Sequence, residues 1–150
     1  MTADAQASGA DTSRRVHPAL TTAATDLFGV RYPIVQTGMG WVSGARLTAA
    51  TANAGGVGIL ASATMRIDEL DAAITKVAER TDAPFGVNLL PSQPDAAERI
   101  ALLIHRDVKV VSFAAAPRPE QVARLRDAGI ATVVTVGAPR HAGEGARDGC

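Results

Sequence analysis

"VGILASATMRIDELDAAITKVAERTDAPFGVNLL", residues 57–90, places two short apolar runs, 57–60 and 85–89, on either side of a segment with a different period. Neither run alternates apolar with polar residues. Unbroken runs of this kind belong to strands buried on both faces of a parallel sheet. Between them Ile67, Leu70, Ile74 and Val77 recur at helical spacing, with Asp68, Glu69 and Asp71 early and Lys76 and Arg80 late. That order of charge complements a helix dipole, so the stretch reads as strand, helix, strand.

Working outward, apolar runs at residues 34–36, 108–113 and 132–136 repeat the unit, their starts separated by roughly 23 to 28 residues. Residues 43–56 (SGARLTAATANAGG) read as a helix capped by Ser43, with Leu47, Ala50, Thr51 and Ala54 on one face and Gly55-Gly56 at its end. A helix over 95–106 should turn Ile100, Leu103 and Ile104 inward, and another over 119–128 should stop at Gly129. A short helix within 20–28 leads into the first strand. Five such βα units, with right-handed crossovers, admit two architectures. One is a complete doubly wound sheet; the other is the opening five-eighths of an eight-stranded barrel. In both, ligands gather at the carboxyl ends of the strands.

The 150 residues are 47% hydrophobic, enough for one domain with a sizeable core. Fifteen basic and 15 acidic residues cancel, so no overall field recruits nucleic acid or an anionic membrane. The single cysteine, Cys150, forms neither a disulfide framework nor a cysteine metal site within one chain. With no signal-like leader and no apolar stretch near the roughly 20 residues that span a bilayer, a cytoplasmic location is expected. Residues 1–19 are rich in small and polar residues without periodicity, and read as a disordered tail.

Gly38-Met39-Gly40, within "PIVQTGMGWVSG" (33–44), stands where the first strand empties onto the ligand rim. It is not GxGxxG, and no GxxxxGK[ST] occurs. Two readings stay open: a turn that needs glycine torsions, or small residues that let a flat ring lie against the backbone beside the soft Met39 side chain. Trp41 either walls such a site or packs beneath the first helix. Asn88 ends a buried strand, where an unpaired amide costs about 1–3 kcal/mol, so its partner is a ligand or a neighbouring backbone. The glycine-dense residues 53–58 precede a strand and read as a helix end. Ser112, Phe113 and residues 135–137 end strands four and five at the rim. His17 lies in the tail, His105 late in a helix and His141 in a first helical turn; none has metal-ligand spacing, and no metal is expected.

Taken in order, "YPIVQTGMGWVSGARLTAATANAGGVGILASATM", "TDAPFGVNLL", "VKVVSFAAAPRPEQVARLRDAGI" and "VVTVGAPRHA" resemble the nitronate monooxygenase family over about residues 20–142. The resemblance implies an α/β fold, a TIM-type (βα)8 barrel, of which this chain carries about the first five units. It also implies non-covalent FMN held by Gly38, Met39, Gly40 and Asn88. The implied reaction takes a nitronate and O2 to a carbonyl compound and nitrite, and leaves self-association open. The family's histidine falls beyond the end of this chain, so no catalytic residue is assigned, and His141 does not take that role. FMN-dependent enoyl-acyl-carrier-protein reductases are similar in the same two segments, and a non-catalytic α/β remnant is the third reading. "HAGEGARDGC" (141–150) has three glycines where a fifth helix needs an apolar stripe. Residues 143–150 are therefore expected to be irregular, and the chain reads as a truncated barrel that binds FMN weakly and is inactive alone.

Overall fold

The computed structural model describes residues 16–148. Most of the expected tail, residues 1–15, lies outside the described residues. Its last part is ordered as a 3-10 turn, Pro18–Leu20, capped by His17 Nδ1, which accepts from the Ala19 N–H at 3.2 Å. Then follow α1 (Ala23–Phe28), β1 (Val35–Gln36), α2 (Ala45–Asn53), β2 (Val57–Ala61), α3 (Ile67–Ala78), β3 (Phe85–Leu89), α4 (Ala96–His105), β4 (Val110–Phe113), α5 (Pro119–Asp127), β5 (Ala131–Val134) and α6 (Pro139–Asp148).

All neighbouring strands are parallel, in the order β1-β2-β3-β4-β5. This order decides between the two architectures. A doubly wound sheet reverses direction at a switch point and carries helices on both faces, whereas a sequential order puts every crossover helix on one face. The other face then becomes the concave interior of a TIM-type barrel, here built from five βα units.

Two apolar clusters mark the two faces. Between sheet and helices, Leu60, Val87, Leu89, Val111 and Phe113 pack with Leu70, Ile74, Val77, Ile100, Leu103, Val122 and Leu125, all at most 2% exposed. On the concave face, Val57, Ile59 and Val110 pack with Ala131, Phe28 and Val30. Helix α1 and the turn after it therefore plug one end of the interior, a role its short sequence pattern did not announce.

Of the expected stripes, α3 buries Leu70, Ile74 and Val77 and α4 buries Ile100 and Leu103, with Ile67 and Ile104 half-buried; α5 buries Val122 and Leu125. Helix α2 departs from its expected face. It buries Thr48, Ala49 and Ala52, while Leu47 is 36% exposed and Ala50 and Ala54 face water. The reason is distance: a Cβ on Gly58 of β2 would lie 2.1 Å from the Thr48 carbonyl oxygen. Backbones this close leave room only for small side chains, so the bulkiest apolar residue of α2 turns outward. The chain end also differs from expectation. Residues through Asp148 form α6 rather than an irregular segment, although glycine costs a helix about 1 kcal/mol per position. Pro139 presets φ in the first turn, the Ala138 carbonyl accepts the His141 N–H at 3.0 Å, and the helix docks beside α5.

Among the described residues no helix is long and apolar enough to cross a membrane. Because Gly58 has no space for a side chain, Gly58→Ala should lower stability by about 3 kcal/mol, at the upper end of overpacking costs. Gly137→Ala, where an added Cβ meets nothing within 4 Å, should change little. Urea denaturation of both variants checks the contrast.

Candidate functional site

The carboxyl ends of the strands form two layers read directly from the register. Ile59, Gly86, Val110 and Ala131 align across the sheet, and one step nearer the rim Ala61, Asn88, Ser112 and Val133 align. The lower layer belongs to the plugged interior. The upper one carries the polar groups. Asn88 is 9% exposed, and its Nδ2 donates to the Ser112 carbonyl at 3.1 Å. A neighbouring backbone is thus the partner for the amide nitrogen.

Gly38 lies against that same side chain. A Cβ here would stand 2.5 Å from Asn88 Cβ and 3.5 Å from Ile59 Cγ2. The close approach that the sequence left open therefore involves Asn88 itself: Gly38 is bare so that strand three's amide can sit on the outlet of strand one. Met39 is 39% exposed and Gly40 is exposed, so the turn after Gly38 presents backbone and a thioether to the rim.

Ser43 holds this turn in shape. Only 1% exposed, it accepts the Met39 N–H at 2.9 Å, donates to the Thr37 carbonyl at 3.0 Å, and accepts from Gln36 Nε2 at 2.9 Å. Its own carbonyl accepts from the Ala61 N–H at 3.0 Å, tying the turn to β2. Ser43 is not the cap of α2 as expected; Gly44 occupies that position without a side-chain cap, because the hydroxyl is already consumed by the turn. One consequence is strain. Trp41 has φ 60° and is 92% exposed, so it does not pack beneath a helix. A non-glycine residue held there costs of order 1–3 kcal/mol and persists only where the surroundings enforce it.

The other candidates separate from this centre. Phe113 is fully buried in the helix-side core, residues 135–137 are exposed beyond β5, His105 is exposed at the end of α4, and His141 lies in the first turn of α6. Among the described residues no group of His, Cys, Asp or Glu is arranged to hold a metal ion. Between the loops that follow β3 and β4, a cavity of about 470 Å³ lined by residues including Pro91, Gln93, Ala116 and Arg118 opens on the same rim.

One residue that sequence reasoning missed stands directly behind the site. Arg99 of α4 is 2% exposed; its Nη1 donates to the Ser62 carbonyl at 3.0 Å and its Nη2 to the Met65 carbonyl at 2.6 Å. Nη2 also pairs with Asp95 at 2.8 Å. The signal was present: Ala96, Arg99, Ile100 and Leu103 occupy one buried stripe, with a charge at a position the pattern reserves for apolar residues. The hydrogen bond from Arg99, reinforced by its charge, holds the Asp95 carboxyl below its ordinary range against the opposing effect of desolvation.

A model of the nitronate monooxygenase family matches residues 21–101, more than half of the chain and both strand outlets just described. The chain belongs to the nitronate monooxygenase family. Within and around this family, it is 57% identical over 123 residues to the (3aS,4S,5R,7aS)-5-hydroxy-7a-methyl-1-oxo-octahydro-1H-indene-4-carboxyl-CoA dehydrogenase of Mycobacterium tuberculosis, covering 82% of this chain and 35% of that protein. It is 38% identical over 101 residues to the nitronate monooxygenase of Pseudomonas aeruginosa, covering 65% of this chain and 29% of the other. FabK from Thermotoga maritima superposes with a TM-score of 0.83 at 34% identity, over 87% of this chain and 42% of FabK. The chain thus spans about a third of the length of the curated relatives it matches.

Two outcomes test the site's construction. Ser43→Ala strands the Met39 N–H, while Gln36 Nε2 keeps the Thr37 and Ile59 carbonyls, and should cost about 1–3 kcal/mol in urea unfolding while speeding amide exchange at Met39. The pH dependence follows from Asp95. Its folded pKa is lowered, so its contribution is present above the unfolded value of about 3.9 and disappears as pH falls through the lower folded value. The stability difference between wild type and Asp95→Asn should therefore be full at neutral pH and vanish in strong acid, as measured by urea midpoints across that range.

Proposed function

We propose that this chain supplies the FMN-contacting outlets of strands one and three in an oxidoreductase acting on a hydroxylated ring compound carried as a CoA thioester. The observation that carries the reading is the 57% identity to the M. tuberculosis CoA dehydrogenase, which exceeds the 38% to the P. aeruginosa nitronate monooxygenase over a shorter span.

The residues present fit a planar cofactor with a polar edge. The Asn88 amide is oriented through Ser112, Gly38 makes room for that side chain at the neighbouring outlet, and Met39 and Gly40 border the opening with apolar and bare backbone surface. Bound FMN supplies the capacity to accept two electrons from the substrate carbon. The chain's own part is positional. Ser43 keeps the Met39 turn rigid, Asn88 offers one oriented amide, and Phe28 and Val30 close the interior below so that water does not approach from that end. The cavity beside Gln93 and Arg118 gives room and a cation for the extended anionic tail of a CoA ester as it leaves the rim.

Oxidation of a nitronate with O2 is the second reading, favoured by the activity for which the matching family model is named. The two separate in one experiment. With FMN present and oxygen excluded, a 5-hydroxy bicyclic acyl-CoA should bleach the flavin absorbance and a simple alkyl nitronate should not; the reverse pattern sinks the CoA reading. Under either reading, Gly38→Val and Asn88→Ala should weaken FMN binding about 10-fold each, equivalent to ~1.4 kcal/mol, in equilibrium dialysis. Unchanged affinity in both variants removes these residues from the cofactor site.

A further inference from the structure

Arg99 sits where a packing argument alone would put leucine or methionine. Its side chain is 3% exposed, and its Nε is buried with no hydrogen-bond partner. Buried ion pairs are frequently replaced by apolar residues without loss of stability, and an orphaned buried N–H is a cost in its own right. Stability therefore does not account for the guanidinium. Its contacts point elsewhere. Both terminal nitrogens hold carbonyls of the β2–α3 loop, Ser62 and Met65, and Asp95, at the N-cap of α4, fixes the guanidinium from its own helix's entrance. Ser62 is fully buried, and its hydroxyl donates to the backbone carbonyl of Asn88. Gln93 Nε2 donates to the Ala63 carbonyl at 3.2 Å, gripping the same loop from the other side. A continuous path of hydrogen bonds thus runs from Asp95 through Arg99 and Ser62 to the backbone of the residue whose amide faces the rim.

We propose that Arg99 is a positioning residue for Asn88: the Asp95–Arg99 pair locks the β2–α3 loop, and Ser62 transmits that lock to the strand-three outlet. The proposal rests on Asn88 being a cofactor contact, but its structural half can be read without any cofactor. Arg99→Met keeps the length of the side chain and removes the polar contacts; Arg99→Lys keeps the charge and only part of the geometry.

In the 150-residue chain labelled with nitrogen-15, Arg99→Met should shift the Asn88 side-chain amide resonances and accelerate their exchange. The Asn53 amide, which donates to the Arg80 carbonyl at 2.9 Å on the far side of α3, should stay in place. Thermal stability should be retained or rise, FMN affinity should fall about 10-fold, and Arg99→Lys should restore part of both the affinity and the Asn88 signal. In an Asn88→Ala background, Arg99→Met should add little further loss, since coupled residues are not additive. An unmoved Asn88 amide in Arg99→Met overturns the proposal, whatever the stability does. So does a full additional 10-fold loss of FMN affinity in the double variant. If FMN fails to discriminate Asn88→Ala from wild type while the Asn88 amide still moves in Arg99→Met, the cofactor reading falls and the positioning network stands.

Discussion

The contact between Gly38 and Asn88 is the constraint around which this chain is arranged. The two residues end strands that are not neighbours, since β2 lies between them. In a flat sheet two strands separated by a third are about 9–10 Å apart, too far for an asparagine Cβ to rest on a glycine backbone. The contact exists because the sheet curls, and the sheet curls because every crossover helix lies on one face. The same geometry that defines the barrel also brings the two outlets to a single point.

Around that point the chain departs from what stability alone would favour. Trp41 is held at positive φ and left in water by a turn that Ser43 ties down through three hydrogen bonds. Arg99 is buried with an unpaired Nε, and the side-chain oxygens of Gln36, which ends β1, and Gln93, in the loop after β3, are likewise buried without a partner among the described residues. Departures of this kind concentrate at functional sites, where the surrounding packing offsets their cost.

Membership of the nitronate monooxygenase family places this rim in a setting where one barrel hosts different oxidations. The activities named for the relatives span a CoA dehydrogenase and a nitronate monooxygenase, and the family model that this chain matches takes in both Gly38 and Asn88.

The amino-acid sequence by itself determined the βα rhythm, most of the inward stripes of α3 and α4, and the location of Gly38 and Asn88 at strand outlets. These are local matters of period and polarity, written into neighbouring residues. It left the choice between doubly wound sheet and barrel to overall resemblance, because strand order is a property of distant segments. Three further matters were decided only in three dimensions. Helix α2 buries its alanines and not Leu47, because Gly58 lets the backbones approach more closely than any hydrophobic pattern records. Ser43 serves the turn and not the helix, because Met39 and Thr37 reach its hydroxyl first. Arg99 reaches the site at all because the fold stacks α4 behind the loop that follows β2, a juxtaposition across 37 residues of chain that no spacing rule contains.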